Sequence, residues 1–416
     1  MLISGLIAVV LFQPNPVADL PPKAEAIAQL VEQLADPTLA VRQEAARQLE
    51  ASGPRILPLL PEATTLVSAA ARQAVEQIRN QLERRLVADS LKASFVNLDG
   101  QHTPHAALAA IAQQTGNTVH AAPAFVTTIE RDVTWQQTPF WTAITQLADE
   151  NQRRLVWNRE AERFELVTRQ VHPLDVAATT SGPFRIAVRQ VEVREIDDQR
   201  LLRLICALQA EPRLQPLFVQ WPLRDWSLKA EGRESPPWNP DAVIELPFAE
   251  RSSEITLAVD FRWPVDKPPT AWSLAGRCTV HLAAGREPLV FAGSQLRRGV
   301  IQRRRGITAQ IREVRFDAVS PEMQQARVRI IVNYDRGGPE FESHRMGLFH
   351  RSAWLENEVG QRIPFTGIEI VAEADGGLAV EYRFAEIPAP ATQYRFVYEA
   401  PTLLLEAPVE VRIDAR

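Results

Sequence analysis

The spacing of apolar positions changes along the chain, and each change marks a different kind of structure. Between Ala24 and Arg85 apolar residues recur every three or four positions. Ile27, Leu30, Val31 and Leu34 form one stripe, and Val41, Ala45 and Leu49 form a second. That spacing places side chains on one face of an α-helix. Asp36-Pro37 divides the first two helices and Gly53-Pro54 ends the second, since proline cannot continue a helix and glycine favours its end. After Pro58 and Pro61, the series Leu66, Ala70, Ala74, Ile78 and Leu82 predicts a third, longer helix.

Residues 91–169 mix the two periods. Phe95–Leu98, Thr118–Ala121, Asp132–Gln136, Arg154–Trp157 and Phe164–Val167 alternate as strands. Helical stripes lie between them at Ala107, Leu108 and Ile111 and at Phe140, Ile144 and Leu147. Thr103-Pro104 and Thr138-Pro139 are read as helix starts, with threonine as the cap and proline at the first helical position, where its missing N–H is harmless. The predicted order is βαββαββ.

From Val171 onward period two dominates, at Phe184–Val193, Ile255–Phe261, Arg277–Leu282, Ala326–Val332, Leu378–Phe384 and Tyr394–Val397. Asp198–Leu208 fits either period. Proline- and glycine-rich turns such as Ser235-Pro236-Pro237 and Asp266-Lys267-Pro268-Pro269 separate the strands. Short strands punctuated in this way indicate β-sandwiches. The segment has about twice the length of one sandwich, so a division is expected at the basic stretch 295–306. Similar openings stand on either side of it, Phe184–Val191 and Ile307–Val314.

A chain of 416 residues exceeds one ordinary core. The expected fold class is multidomain: α-helical (24–87), then α+β (91–169), then all-β sandwiches at 180–294 and 307–416 joined by a linker at 295–306. Leu2–Phe12 is an uncharged apolar run followed by Asn15-Pro16, with Ala18 at a candidate cleavage point. It has the length of a signal-peptide core and is short for a membrane span. Residues 1–18 are therefore read as a targeting segment, the expected location is the periplasm or cell envelope, and membrane contact is expected only through that segment.

Three resemblances rest on these residues. Asp36, Pro37, Val41, Arg42, Ala45, Ala46, Leu49 and Gly53 resemble a HEAT repeat, with a second copy suggested by Ala70, Ala74 and Ile78 at a period of 29. The βαββαββ unit resembles the short N-terminal domain of secretins and TonB-dependent receptors. That resemblance implies two small sheets partly covered by helices, and strand edges that meet partner proteins. The strand-rich remainder resembles tandem Ig-like sandwiches. Together they imply an exported multidomain bacterial envelope protein.

Chemistry narrows the reading by what is missing. The sequence holds no catalytic motif of the GxSxG, HExxH or CxxC type and no phosphate-binding glycine loop. No enzyme activity and no cofactor are expected. His102 and His105, spaced i, i+3, lack a third ligand. A net charge of -5 does not favour nucleic acid; the arginines Arg303–Arg305 fit a solvated linker. Cys206 and Cys278 lie in alternating runs and should face one interior, either as free thiols or as an inter-sheet disulfide. The expected function is a scaffold that docks onto another envelope protein, with Thr134, Trp135 and Gln136 as the candidate partner-binding edge. The alternative is a glycan- or surface-binding module using Trp221, Trp226 and Trp238.

Overall fold

The computed structural model describes residues 24–61, 65–122, 129–168, 175–196, 199–249, 251–304, 307–334, 352–374, 377–390 and 393–415. The targeting segment 1–18 and Arg305 lie outside them. No helix among the described residues is long and apolar enough to cross a membrane. The chain divides into two compact units, 1–88 and 89–416.

The first unit is helical. It contains α1 (Ala24–Gln33), α2 (Leu39–Ala51), a 3-10 turn (Pro54–Leu59) and α3 (Ala69–Ser90). Ile27, Val31, Leu34, Ala45, Leu49, Ile56, Val75, Ile78 and Leu82 share its core. Arg42 Nη1 donates to the carbonyls of Asp36 and Pro37 at 2.8 and 3.0 Å, ahead of α2. Arg72 Nη1 repeats the arrangement with Leu66 and Val67 at 3.1 and 3.4 Å. The Arg72 contacts follow those of Arg42 by 30 residues, whereas Ile78, buried in the same core, follows Leu49 by 29. Of the expected stripe, Ile78 and Leu82 are buried and Ala74 is half-buried, while Ala71 and Val75 are buried, Ala70 is exposed and Leu66 precedes the helix.

The second unit opens with β1 (Phe95–His102), α4 (Pro104–Thr115), β2 (Val119–Ala121), β3 (Arg131–Pro139), α5 (Phe140–Glu150), β4 (Arg153–Asn158) and β5 (Arg163–Thr168). Thr103 caps α4 by accepting from the Ala106 N–H, and Gly116, at φ 72, closes it through a bond to the Ala112 carbonyl. Thr138-Pro139 behaves differently from the expectation. It pairs with Val96 and Phe95 as the end of β3, and α5 starts at Phe140 with no side-chain cap. Two small sheets result: β1-β3 antiparallel, and β2-β5-β4 with β2 parallel to β5.

The remainder is all strand: β6 (Ala177–Ser181), β7 (Phe184–Ile196), β8 (Gln199–Ala210), β9 (Gln215–Pro222), β10 (Ser227–Ala230), β11 (Arg233–Ser235), β12 (Val243–Pro247), β13 (Glu254–Arg262), β14 (Trp272–Phe291), β15 (Ile301–Arg304), β16 (Ile307–Ala318), β17 (Met323–Tyr334), β18 (Ala353–Glu356), β19 (Arg362–Pro364), β20 (Gly367–Ala374), β21 (Gly377–Pro388) and β22 (Arg395–Ala415). The ambiguous stretch after Asp198 is thus a strand. One sheet runs β13-β8-β7-β6 and another β15-β16-β17-β21-β20. Both face a third sheet built on β14 and β22, with β9 and β10 beside β14 and β18 beside β22.

The two long strands do not respect the expected boundary at 295–306. They pair antiparallel from Trp272↔Ala415 to Phe291↔Phe396. The first core takes Leu274–Leu282 from β14 together with Ala407, Val409, Val411 and Ile413 from β22. The second takes Leu289 and Phe291 from β14 with Phe396 and Tyr398 from β22. Each sandwich therefore borrows a strand segment from the other, and Ile301–Arg304 is a sheet strand, not linker. The similar openings also share a structural mark. β7 bulges between Val188 and Gln190, and β16 between Ile311 and Glu313, at matching positions.

A buried carboxylate joins the α/β elements to the first sandwich. Glu211, fully buried after β8, accepts from the Ser94 N–H (2.9 Å), Ser94 Oγ (2.8 Å), Asn117 Nδ2 (3.1 Å) and Arg213 Nε (2.6 Å). Arg213 also donates to the Lys92 carbonyl, and its N–H reaches Asn117 Oδ1 at 2.9 Å. Nearby, Trp141 Nε1 donates to the Pro183 carbonyl at 3.0 Å.

Two outcomes follow from this packing. Glu211→Ala leaves several buried donors without an acceptor and should cost about 3–5 kcal/mol, read as a lower midpoint in urea unfolding. A chain ended after Arg304 lacks the β22 segment that completes the first core. Its tryptophan fluorescence is expected to be red-shifted and its melting non-cooperative; a native-like melt would show that this sandwich is self-sufficient.

Candidate functional site

The expected edge can now be placed. In β3, Val133 and Trp135 are 4% and 5% exposed, whereas Thr134 and Gln136 face solvent. Trp135 is a core residue, so its side chain is not available to a partner, and only its backbone belongs to the edge. This follows from the two-residue period of a strand: flanking an exposed Thr134 requires turning inward.

The two strands of this small sheet differ at their outer edges. The Phe140 N–H donates to the Ser94 carbonyl at 2.9 Å. Alternation from that bond directs Val96, Leu98 and Gly100 toward β3, and Asn97 and Asp99 away from it. Asn97 confirms the alternation: its N–H donates to Gln114 Oε1 at 2.9 Å, and Gln114 Nε2 donates to its carbonyl at 2.8 Å. The α4 glutamine thus stands in for one residue of a neighbouring strand, at Asn97. On β3, Thr134 lies opposite Asp99, so its N–H and C=O also point outward. Among the described residues β3 pairs with β1 alone. The open stretch ends at Gln137, which has φ 48 and donates its N–H to Asn97 Oδ1 at 2.8 Å.

The tryptophans of the alternative, glycan-binding reading are mostly interior. Trp221 and Trp226 are 1% and 2% exposed and stack with ring centroids 4.1 Å apart. Trp226 Nε1 donates to the Arg277 carbonyl, and its ring lies so close to Gly276 that a Cβ there would fall 2.3 Å from it. A ring held in this way cannot stack on a ligand. Trp238 keeps 38% exposure. His102 sits 3.0 Å from the Asp99 carbonyl, His105 is exposed, and no group of three metal-ligating side chains occurs among the described residues.

Cys206 on β8 and Cys278 on β14 belong to the same core and are buried free thiols, not a disulfide. Burial pushes Cys206 up to about 12. It pushes Cys278 up as well, with Cys206 adding to the effect. Sequence reasoning did not find Gln114 or Glu211. Gln114 carries no signal beyond an ordinary exposed helix position. Glu211 carries one: it ends an apolar strand with a charge just before a proline.

No family model matches the chain, and no curated protein matches it. Among solved structures, the crystal structure of the conserved domain protein from Bacillus anthracis is similar at 9% identity, over 57% of this chain and 89% of that one, with a TM-score of 0.16. That score is too low to establish a shared fold.

The thiols give a direct prediction. Native protein at pH 8 should not react with an aromatic disulfide reagent, and denatured protein should react at both cysteines. Their folded pKa values lie above the unfolded value of roughly 8.5. Unfolded chains therefore lose these protons first, and the contribution to stability, complete below that pH, declines as pH rises toward 12. Rapid labelling of the native protein would contradict the buried placement.

Proposed function

We propose that this is a non-enzymatic, exported scaffold that docks onto another cell-envelope protein by accepting a strand at the outer edge of β3. The observation that carries the reading is the difference between the two strands of the β1-β3 sheet: Gln114 occupies the outward N–H and C=O of Asn97 on β1, while among the described residues β3 pairs with β1 alone and its Thr134 faces outward. An unpaired edge is a template for another chain, and main-chain hydrogen bonds supply the affinity in strand addition. Two strands are also fewer than a stable sheet prefers, so a third strand improves this one.

The domain order supports the same reading. The βαββαββ order on two small sheets is the arrangement that the likeness to secretin and TonB-receptor N-terminal domains implies. The strand-rich remainder, two sheets that each face the sheet built on β14 and β22, is read as the pair of Ig-like sandwiches that the sequence resembles. The helical unit, with its repeated Arg42 and Arg72 turns, is read as HEAT-like and as a further docking module.

Thr134→Pro tests the edge. It removes one outward N–H and leaves the β1-facing bonds in place, so the variant should melt with the parent. Affinity for an envelope partner recovered with the parent protein should fall roughly tenfold, as expected for a lost hydrogen bond and a poorer fit. A folded variant that binds the same partner unchanged would exclude this edge as the interface.

A further inference from the structure

We propose that the basic tip formed by residues 297–303 and Arg312, at the β15 edge of the second sandwich, binds the surface of a membrane that contains anionic phospholipid. The inference is independent of the β3 edge. The stretch 288–312 holds six arginines and no carboxylate, and the fold gathers several of them at one place. The Ile311 N–H donates to the Val300 carbonyl at 2.9 Å, and the Gly299 N–H donates to the Ile311 carbonyl at 2.8 Å. These bonds tie the turn before β15 to β16, next to the bulge that holds Arg312. Arg298 and Arg312 therefore stand beside each other, with Arg297 one residue further on, and all three are exposed.

The charge of this tip is not consumed inside the fold. Among the described residues Arg297, Arg298 and Arg312 make no ion pair. The acids at either end of the stretch are taken by other arginines: Glu287 lies 3.7 Å from Arg304, and Glu313 lies 3.6 Å from Arg329. Alternation along β15 adds an apolar component. Gln302 and Arg304 turn toward β14, where Gln302 donates to the Val290 carbonyl and Arg304 meets Glu287. Ile301 and Arg303 take the opposite face, and Ile301 is 58% exposed. Cations set around an exposed aliphatic side chain match a bilayer interface, where guanidinium groups meet lipid phosphates and the hydrocarbon enters between headgroups. They match nucleic acid less well, since residues 292–315 include no aromatic ring to stack on a base, and a phosphate backbone gives an isoleucine nothing to bury against.

Co-sedimentation of the full chain with vesicles of phosphatidylcholine, alone or mixed with phosphatidylglycerol, tests the assignment. Tighter binding to the phosphatidylglycerol vesicles is expected, and it should fall as salt rises because the charges are exposed. Residues 1–18 carry no lysine or arginine and are common to every variant, so differences between vesicles and between variants report on the tip. Arg298→Gln and Arg312→Gln should each weaken binding roughly fivefold. Ile301→Ser keeps every charge and should also weaken it roughly fivefold. Arg233→Gln, exposed on β11, should leave binding unchanged. Two competitors separate the possible ligands. Release by inorganic phosphate, beyond that caused by chloride at the same ionic strength, would mark a single-phosphate site. Release by double-stranded DNA at equal phosphate concentration would mark a general polyanion surface. Either result overturns the proposal, as does equal binding to the two vesicles. Unchanged binding by a folded Arg298→Gln/Arg312→Gln double variant, or by folded Ile301→Ser, overturns it as well.

Discussion

The antiparallel ladder between β14 and β22 is the constraint on which the β-rich part depends. A strand pair of this length could have belonged to one large sheet with one core. Instead the register holds throughout but the pair Ala284 and Leu403 drops out of the ladder, with Leu403 at φ 51, and the cores separate on either side. β14 enters the ladder in the first sandwich and leaves it in the second, and β22 runs the opposite way. Because antiparallel pairing fixes register residue by residue, neither core can form its inner face until the other's long strand is in place. Folding of the two sandwiches is coupled by geometry, across more than a hundred residues of chain.

Glu211 extends that rigidity to the α/β elements. A buried carboxylate is destabilising unless every lone pair finds a donor, and here Ser94, Asn117 and Arg213 supply them. Ser94 immediately precedes β1, and its carbonyl receives the N–H that starts α5. One carboxylate thus sets the position of β1 and, through β1, of β3. A second contact lies close by, where Trp141 Nε1 of α5 donates to the Pro183 carbonyl just before β7.

Where physics is local, the sequence reveals it. Thr103 and Gly116 bracket α4 as a cap and a left-handed stop, and strand alternation identifies β7, β13, β16 and β17 without help from tertiary structure. Local signals fail where tertiary packing decides. Alanine fits either side of a helix stripe, so Ala70 and Ala71 could not be told apart until the core chose Ala71. Thr138-Pro139 has the chemistry of a helix start, yet its extended backbone serves equally well as a strand end once Val96 and Phe95 lie opposite. Trp221 and Trp226 sit among prolines, where local sequence does not separate packing from a ligand platform; Gly276 on β14 opens the space that Trp226 fills. The β14–β22 exchange left no local trace, since both halves of each strand have the same alternating pattern.

Two of the other edge strands, β13 and β20, are protected in different ways. The edge of β13 is covered by bonds from the Trp238 N–H to the Asp260 carbonyl and from the Arg262 N–H to the Pro236 carbonyl. β20 is bent by a bulge between Ile370 and Ala372, and bulged edges resist further pairing. The outer faces of both sandwich sheets carry arginine–carboxylate rows, including Arg203 with Asp260, and Arg329 with Glu313 and Glu381. Such rows hold register across three strands and oppose apolar contact with other sheets. β3 has its own irregularity where Gln136 and Gln137 stand opposite Asn97, so its regular stretch is 131–135, with Thr134 at an outward-facing position.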